Sequence, residues 1–177
     1  MYEVLWIVLQ PVVGWAYGHV GEYAIHRWLL HGFLKKSPLF SFHLQDHHRE
    51  CRANNMYDPS YETVGWNAST KEAVALFFLL AIHLPLYYVA PYFYAAIIFS
   101  VLSYYTHHYN SHSHPNRSRT ELTWHYDHHM GPDQNANFGV RSGYIDVLLG
   151  TRKFYHGTFR EQREWTKRSF VLVKSEE

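Results

Sequence analysis

Cysteine is almost missing from this chain: Cys51 is the only one in 177 residues. A single thiol rules out an internal disulfide framework and any Cys-x-x-Cys zinc or redox motif, so a bound metal would have to be held by nitrogen and oxygen. An excess of charge of one sign is missing too. The formal net charge is +1 with histidines neutral, and the sequence lacks a strongly basic surface able to neutralise phosphates, so nucleic acid is not an expected partner. No linker, internal repeat or low-complexity tract interrupts the chain, and residues 1–177 read as one domain. The last absence is local. All sixteen Lys and Arg residues fall in segments 27–71 and 117–174.

The stretches without basic residues are apolar and aromatic, in a chain holding fifteen Tyr, eleven Phe and six Trp. Mean hydropathy is nevertheless slightly polar, which implies a large aqueous part beside any membrane part. Residues 5–20 carry no charge, and the apolar spacing continues through Tyr23, Ile25, Trp28 and Leu29. This predicts one long helix over residues 4–31, about 40 Å in length and enough to cross a hydrocarbon core of about 30 Å. No Lys or Arg precedes the run and it continues into a pair of histidines, so it reads as an anchor and not as a secretory signal.

Residues 73–105 also lack any charged side chain. One straight helix of that length would be about 50 Å, too long for a single crossing. Pro85 and Pro91 divide it, predicting two short helices joined by a turn near residues 89–91, which is a membrane hairpin. Each half is at the short end of what spans a bilayer, so a hairpin entering and leaving one leaflet stays open. The expected fold is an all-α integral membrane helical bundle with about three transmembrane helices. The positive-inside tendency puts residues 35–71 and the C-terminal segment in the cytoplasm, where residues 32–70 and 107–177 would form a histidine-rich cap.

Ten of the fifteen histidines fall in four clusters: His26 and His31; His43, His47 and His48; His108 and His112; His125, His128 and His129. Neutral imidazole is the commonest protein metal ligand. Residues three and four apart share a helix face, so His125, His128 and His129 can address a common site, as can His43 with His47 and His108 with His112. His26 and His31 are about 140° apart on an ideal helix and need a distorted final turn or different metals. One ion takes about four to six ligands, so ten imidazoles imply two metals. A lone histidine is more often a hydrogen-bonded structural residue. His19, His83, His107, His114 and His156 are left in that class, with His107 the competitor of His108.

The series H-x4-H, H-x3-HH, H-x3-H and H-x2-HH, in that order over roughly residues 20–155, resembles the fatty acid hydroxylase and sterol desaturase superfamily. The Asn137-Phe-Gly step and the run from Asp146 through Leu148 to Gly150 and Thr151 resemble that family's ending. The resemblance implies an integral-membrane non-haem di-iron oxidoreductase, with the ten clustered histidines binding both irons on the cytosolic side. Location would then be the endoplasmic reticulum in a eukaryote or the inner membrane in a bacterium. Many members have four transmembrane helices against three counted here. No fused cytochrome b5 domain is present, so a separate donor, such as cytochrome b5 or ferredoxin with its reductase, would supply electrons. Bacterial carotenoid hydroxylases are similar in length but usually show H-x2-HH in the second cluster.

Metal-bound histidines usually donate their second ring nitrogen to a carboxylate or carbonyl, and Asp46, Asp127 and Asp146 are the candidates for this outer role. Trp28 and Trp124 suit either an apolar access path or an interfacial aromatic belt. The implied reaction uses O2 as co-substrate to hydroxylate a C–H bond of a membrane lipid, a fatty acyl chain first among them. The same ligands suit a sterol or lipid desaturase or a carotenoid ring hydroxylase. All-imidazole ligation also suits zinc, so iron rests on the resemblance. A non-catalytic metal-binding membrane protein is the alternative from another class.

Overall fold

The computed structural model describes residues 2–32 and 41–175, which are helical with no strand among them. Helix α1 (Tyr2–Ala24) runs without interruption into a π-helical turn (Ile25–Leu30). A second π-helical segment (Ser41–His48) leads into α2 (Arg49–Ala53), and a 3-10 turn (Pro59–Tyr61) follows. Then come α3 (Ala68–His83), the short α4 (Leu86–Val89) and α5 (Pro91–Ser113). The remaining helices are α6 (Pro115–Glu121), α7 (Thr123–Met130), α8 (Tyr144–Leu148) and α9 (Phe159–Ser175). Lys35 and Lys36, which contribute to the charge asymmetry, lie outside the described residues.

Helices α1 and α5 form the axis of the fold. Their backbones approach closely because α1 presents Gly14 and Gly18, four residues apart on one face. A Cβ at Gly14 would lie 2.8 Å from the Ala96 side chain, and one at Gly18 would overlap Ser100. The start of α5 has no side-chain cap of its own. Pro91 suits the first helical position because it has no N–H to leave unpaired. Gln10 of α1, itself buried, accepts from the backbone N–H of Tyr92 (3.0 Å) and Phe93 (3.4 Å), satisfying donors that hydrocarbon could not. His83 ties the end of α3 to α1 through the Tyr17 hydroxyl at 2.8 Å, while its Nδ1 donates to Leu79 O at 2.7 Å. A bonded structural role therefore accounts for it.

The sequence places the hairpin turn at residues 89–91. In the structure the break is wider: α3 already ends at His83, α4 forms a single turn after Pro85, and Pro91 opens α5. Proline at 85 removes a helical donor and clashes with the preceding turn, so the chain leaves α3 before it. Length matters for the membrane as well. Among the described residues one helix, Glu3–Leu30, is long and apolar enough to cross a bilayer. Sixteen-residue α3 is about 24 Å long, below the hydrocarbon thickness. Twenty-three-residue α5 is long enough, but its last two turns are polar, from His107 to Ser113. All three helices still turn large apolar side chains outward, among them Trp6, Val12, Phe77, Ile82, Phe99 and Leu102.

Candidate metal centre

The ten clustered histidines are all buried and meet between the end of α1, the second π-helical segment, the lower half of α5 and α7. They divide into two groups. Donor nitrogens of His26, His31, His43, His48 and His128 lie within 4.8 Å of one another, and so do those of His47, His108, His112 and His129. His125 joins the second group through His112, with Nε2 to Nε2 at 3.1 Å.

The π-helical turns determine this partition. In the first, the His31 N–H bonds to His26 O at 3.1 Å, an i to i+5 contact. A wider turn brings residues five apart onto one face, so His26 and His31 share a group, as the distorted-turn expectation required. The same geometry at Ser41–His48 pairs His43 with His48 and turns His47 to the other group. The i, i+4 pairing of His43 with His47 expected from an α-helix is thus overturned. The common site expected for His125, His128 and His129 is also split, because α7 lies between the groups: His128 faces the first, His125 and His129 the second. His108 is in the cluster, whereas the His107 ring turns back to Ser103 O at 2.7 Å.

Five rings have Nδ1 committed to an acceptor. His26 Nδ1 donates to Phe138 O (2.5 Å), His128 Nδ1 to Ala136 O (2.6 Å) and His112 Nδ1 to Met56 O (3.0 Å). His47 Nδ1 meets Asp58 Oδ2 at 2.7 Å and His108 Nδ1 meets Glu72 Oε1 at 2.5 Å. In a neutral imidazole with Nδ1 protonated, Nε2 carries only a lone pair. The Nε2 atoms of the clustered rings converge. His43 Nε2 lies 3.0 Å from His26 Nε2 and 3.1 Å from the Nε2 atoms of His31 and His48, and one ring nitrogen can satisfy only one of three such neighbours. The Nε2 atoms of His47, His108, His128 and His129 are buried with no hydrogen-bond partner. Two nitrogens each about 2.1 Å from one ion and at right angles to it stand about 3.0 Å apart. The donor set therefore fits a metal ion in each group.

Electrostatics agree with this fit. Burial, reinforced by neighbouring rings, holds the imidazoles of His43, His48, His112, His125, His128 and His129 well below the ordinary histidine range. His31 is pushed down to about 4 by burial and the His47 ring. Burial lowers His47 as well, against its bond to Asp58. These rings are neutral at pH 7, the form that binds metal.

Of the acids singled out in the sequence, Asp46 is displaced from the outer role: its side chain is 55% exposed and faces Lys71 at 3.9 Å. It sits on the solvent side of the π-helical segment that buries His43, His47 and His48. Asp127 is buried and accepts from Arg152 (2.7 Å) and the His156 N–H (2.6 Å), which anchors the C-terminal loop to α7. Asp146 acts through the backbone. It accepts from the N–H groups of Phe138 and Gly139 and from Thr151 Oγ1, at 2.8, 2.8 and 2.7 Å, and so holds the loop whose Phe138 carbonyl orients His26. The Asn137 and Gly-Thr motifs belong to this brace: Asn137 has φ 59, its Oδ1 accepts from the Lys153 N–H at 2.8 Å, and Gly150 has φ 68.

The carboxylates that touch imidazoles directly, Asp58 and Glu72, stand outside every histidine cluster and were not found by spacing. Glu72 offers one signal, being the last charged residue before the long charge-free stretch. An acid entering an apolar helix must find a partner. Tyr61 donates to Glu72 Oε2 at 2.7 Å and completes that contact. Trp124 donates to Val140 O at 2.8 Å and so braces the same loop, while Trp28 is exposed on the first π-helical turn.

A cavity of about 160 Å³ lies between α1, α3 and α5. Its walls include Ile25, Leu30, Leu76, Leu79, Ile97 and Val101, and one end is closed by His26 and His43 of the first group with His47 and His108 of the second. An apolar chamber ending on two groups of imidazoles, inside an all-α fold with one long apolar helix, defines a helical protein whose buried histidine clusters could bind metal ions beside an apolar pocket. The family follows from the sequence. The fatty acid hydroxylase family matches residues 11–151, most of the chain, and this protein belongs to it. It is an enzyme of that family with histidine metal-binding clusters. Neither the curated proteins nor the solved structures contain a significant match.

Proposed function

We propose that this protein is an integral-membrane di-iron hydroxylase that oxidises a C–H bond of a membrane lipid, a fatty acyl chain first. The observation that carries the reading is the apolar cavity closed at one end by histidines of both groups. His26, His31, His43, His48 and His128 would hold one iron, and His47, His108, His112, His125 and His129 the other. When bound, the irons supply the activation of O2 needed to break an unactivated C–H bond, with electrons from a separate donor such as cytochrome b5 or ferredoxin and its reductase. The protein's own part is positional. Apolar residues of α1, α3 and α5 admit the chain and exclude water, the buried rings stay neutral, and five of them, His26, His47, His108, His112 and His128, are aimed inward by carbonyls and carboxylates that hold their Nδ1 atoms. Family membership and the outward apolar faces of α3 and α5 support a membrane hairpin beside the α1 anchor, with the histidine side facing the cytoplasm.

The test is mass spectrometry of total lipids from cells expressing the chain with a reductase system, against the His128→Ala form. Species gaining one oxygen only with the intact protein are expected, with the product lost at least about 100-fold in the variant. Loss of two hydrogens instead would make it a desaturase. Unchanged lipids in a metal-loaded protein with a competent donor would overturn the reading.

A further inference from the structure

The two histidine groups differ in what stands behind their rings. In the first group the two committed Nδ1 atoms meet backbone carbonyls, those of Phe138 for His26 and Ala136 for His128. In the second group two rings meet carboxylates, His47 on Asp58 and His108 on Glu72. Both acids are buried. The Cys51 sulfur adds a polarisable neighbour 3.3 Å from His112 Nδ1 and 3.8 Å from His47 Nδ1.

We infer that Asp58 and Glu72 make the two metal positions inequivalent, so that the second group binds its divalent ion more tightly and renders it easier to oxidise. The inference rests on the reading of the ten rings as holders of two metals. A carboxylate behind an imidazole draws the Nδ1 proton toward itself and leaves Nε2 a stronger electron donor than a neutral carbonyl does. The two negative charges also offset the cation's charge in a setting where water cannot. Asp58 and Glu72 are accordingly positioning and tuning residues, not ligands. Each is itself held: Asp58 accepts from the Ser60 N–H at 2.9 Å, and Glu72 accepts from the Tyr61 hydroxyl. The cavity ends on rings of both groups, so an apolar chain would approach a pair of unlike metals.

The experiment titrates the metal-free full-length protein in detergent with Co2+ and follows the visible absorption of the bound ion, which requires no turnover. Two classes of site are expected in the wild type. Glu72→Gln and Asp58→Asn, which keep a hydrogen-bond acceptor and remove the charge, should each weaken the tighter class about 10- to 100-fold and leave the other unchanged. The double variant, with only neutral partners in both groups, should bring the two classes close together. If Glu72→Gln fails to fold, judged by its melting curve, Tyr61→Phe loosens the same carboxylate and should weaken the same class several-fold. A single class in the wild type, or equal weakening of both classes in the variants, overturns the inference. No Co2+ binding at all overturns the metal reading beneath it, whereas silent lipid assays with two Co2+ classes overturn only the proposed reaction.

Discussion

The three long helices and the histidine centre use burial in opposite ways. Along α1, α3 and α5 many large apolar side chains face outward, while small or polar ones line the helix contact beside the inward Ile97 and Val101: Gly14, Gly18 and Ser100 sit at that contact, and Gln10 is buried while Trp6 and Val12 are not. In the histidine centre the interior holds a large polar cluster, with ten imidazoles, Asp58, Glu72, Asp127 and Asp146 all buried, flanked by a small apolar core of Met56, Tyr126, Met130 and Tyr155. A water-soluble domain would not show the first pattern, since it gains stability by placing apolar area inside. The outward apolar faces suit a hydrocarbon surrounding, where helix contact rests on close packing of small residues. The polar cluster is stabilised where Nδ1 atoms meet carbonyls and carboxylates, and the unpartnered ring nitrogens that remain are lone-pair donors suited to a cation.

The sharpest way to test this contrast is acid. In the unfolded chain the clustered rings take up protons near pH 6.5, whereas burial keeps His31 neutral down to about 4 and holds His43, His128 and His129 well below the ordinary histidine range. The unfolded state therefore binds more protons below pH 6.5, and stability falls as pH drops from 6.5 toward 4, by up to about 1.4 kcal/mol per pH unit for each such ring. Above pH 6.5 these rings add no pH dependence. Thermal unfolding of the metal-free protein in detergent should show a plateau at pH 7–8 and a steep loss below pH 6. A midpoint that stays flat to pH 5 would mean that the rings are not buried as neutral groups.

A smaller effect is expected from charge placed on the two kinds of surface. Phe78→Arg puts a cation on the outward face of α3, where Phe78 is 59% exposed. In hydrocarbon this should cost about 2–3 kcal/mol, read as a reduced membrane-inserted fraction. Val64→Arg, at a fully exposed position in the loop before α3, should fall within about 0.5 kcal/mol of wild type. Equal effects at both positions would remove the distinction between lipid-facing and water-facing surfaces.

The least effect belongs to Asp46→Ala. Its ion pair with Lys71 is long and exposed, and such pairs contribute about 0–1 kcal/mol. Metal content and thermal midpoint should match wild type. A loss of metal would return Asp46 to the outer role that the structure gives to Asp58 and Glu72.

Local spacing carried much of this protein. The four clusters, the choice of His108 over His107, the long first helix and the division of the second apolar stretch by prolines are all legible one segment at a time, because each depends on periodicity or on a backbone restriction of a single residue. The Asn137 and Gly150 positions were legible only through the resemblance to the family's ending, and the structure supplies the physical reason, a positive φ at each that few other residues accept. Ligand grouping was not legible. An α-helical rule pairs His43 with His47, and only the π-helical winding of Ser41–His48 shows that His48 is the true neighbour.

What the sequence by itself determined, then, is the chemistry: ten imidazoles with a single thiol in the chain, set beside long stretches that carry no charge. What only the tertiary structure decided is the wiring. Asp58 lies 11 residues from the ring that it supports and Glu72 lies 36 from its own, and no periodicity spans such separations. Packing of α3 against α5 brings Glu72 to His108, and the cap of the 3-10 turn brings Asp58 to the π-helical segment of His47; in each case a buried carboxylate must find a donor and meets a histidine Nδ1.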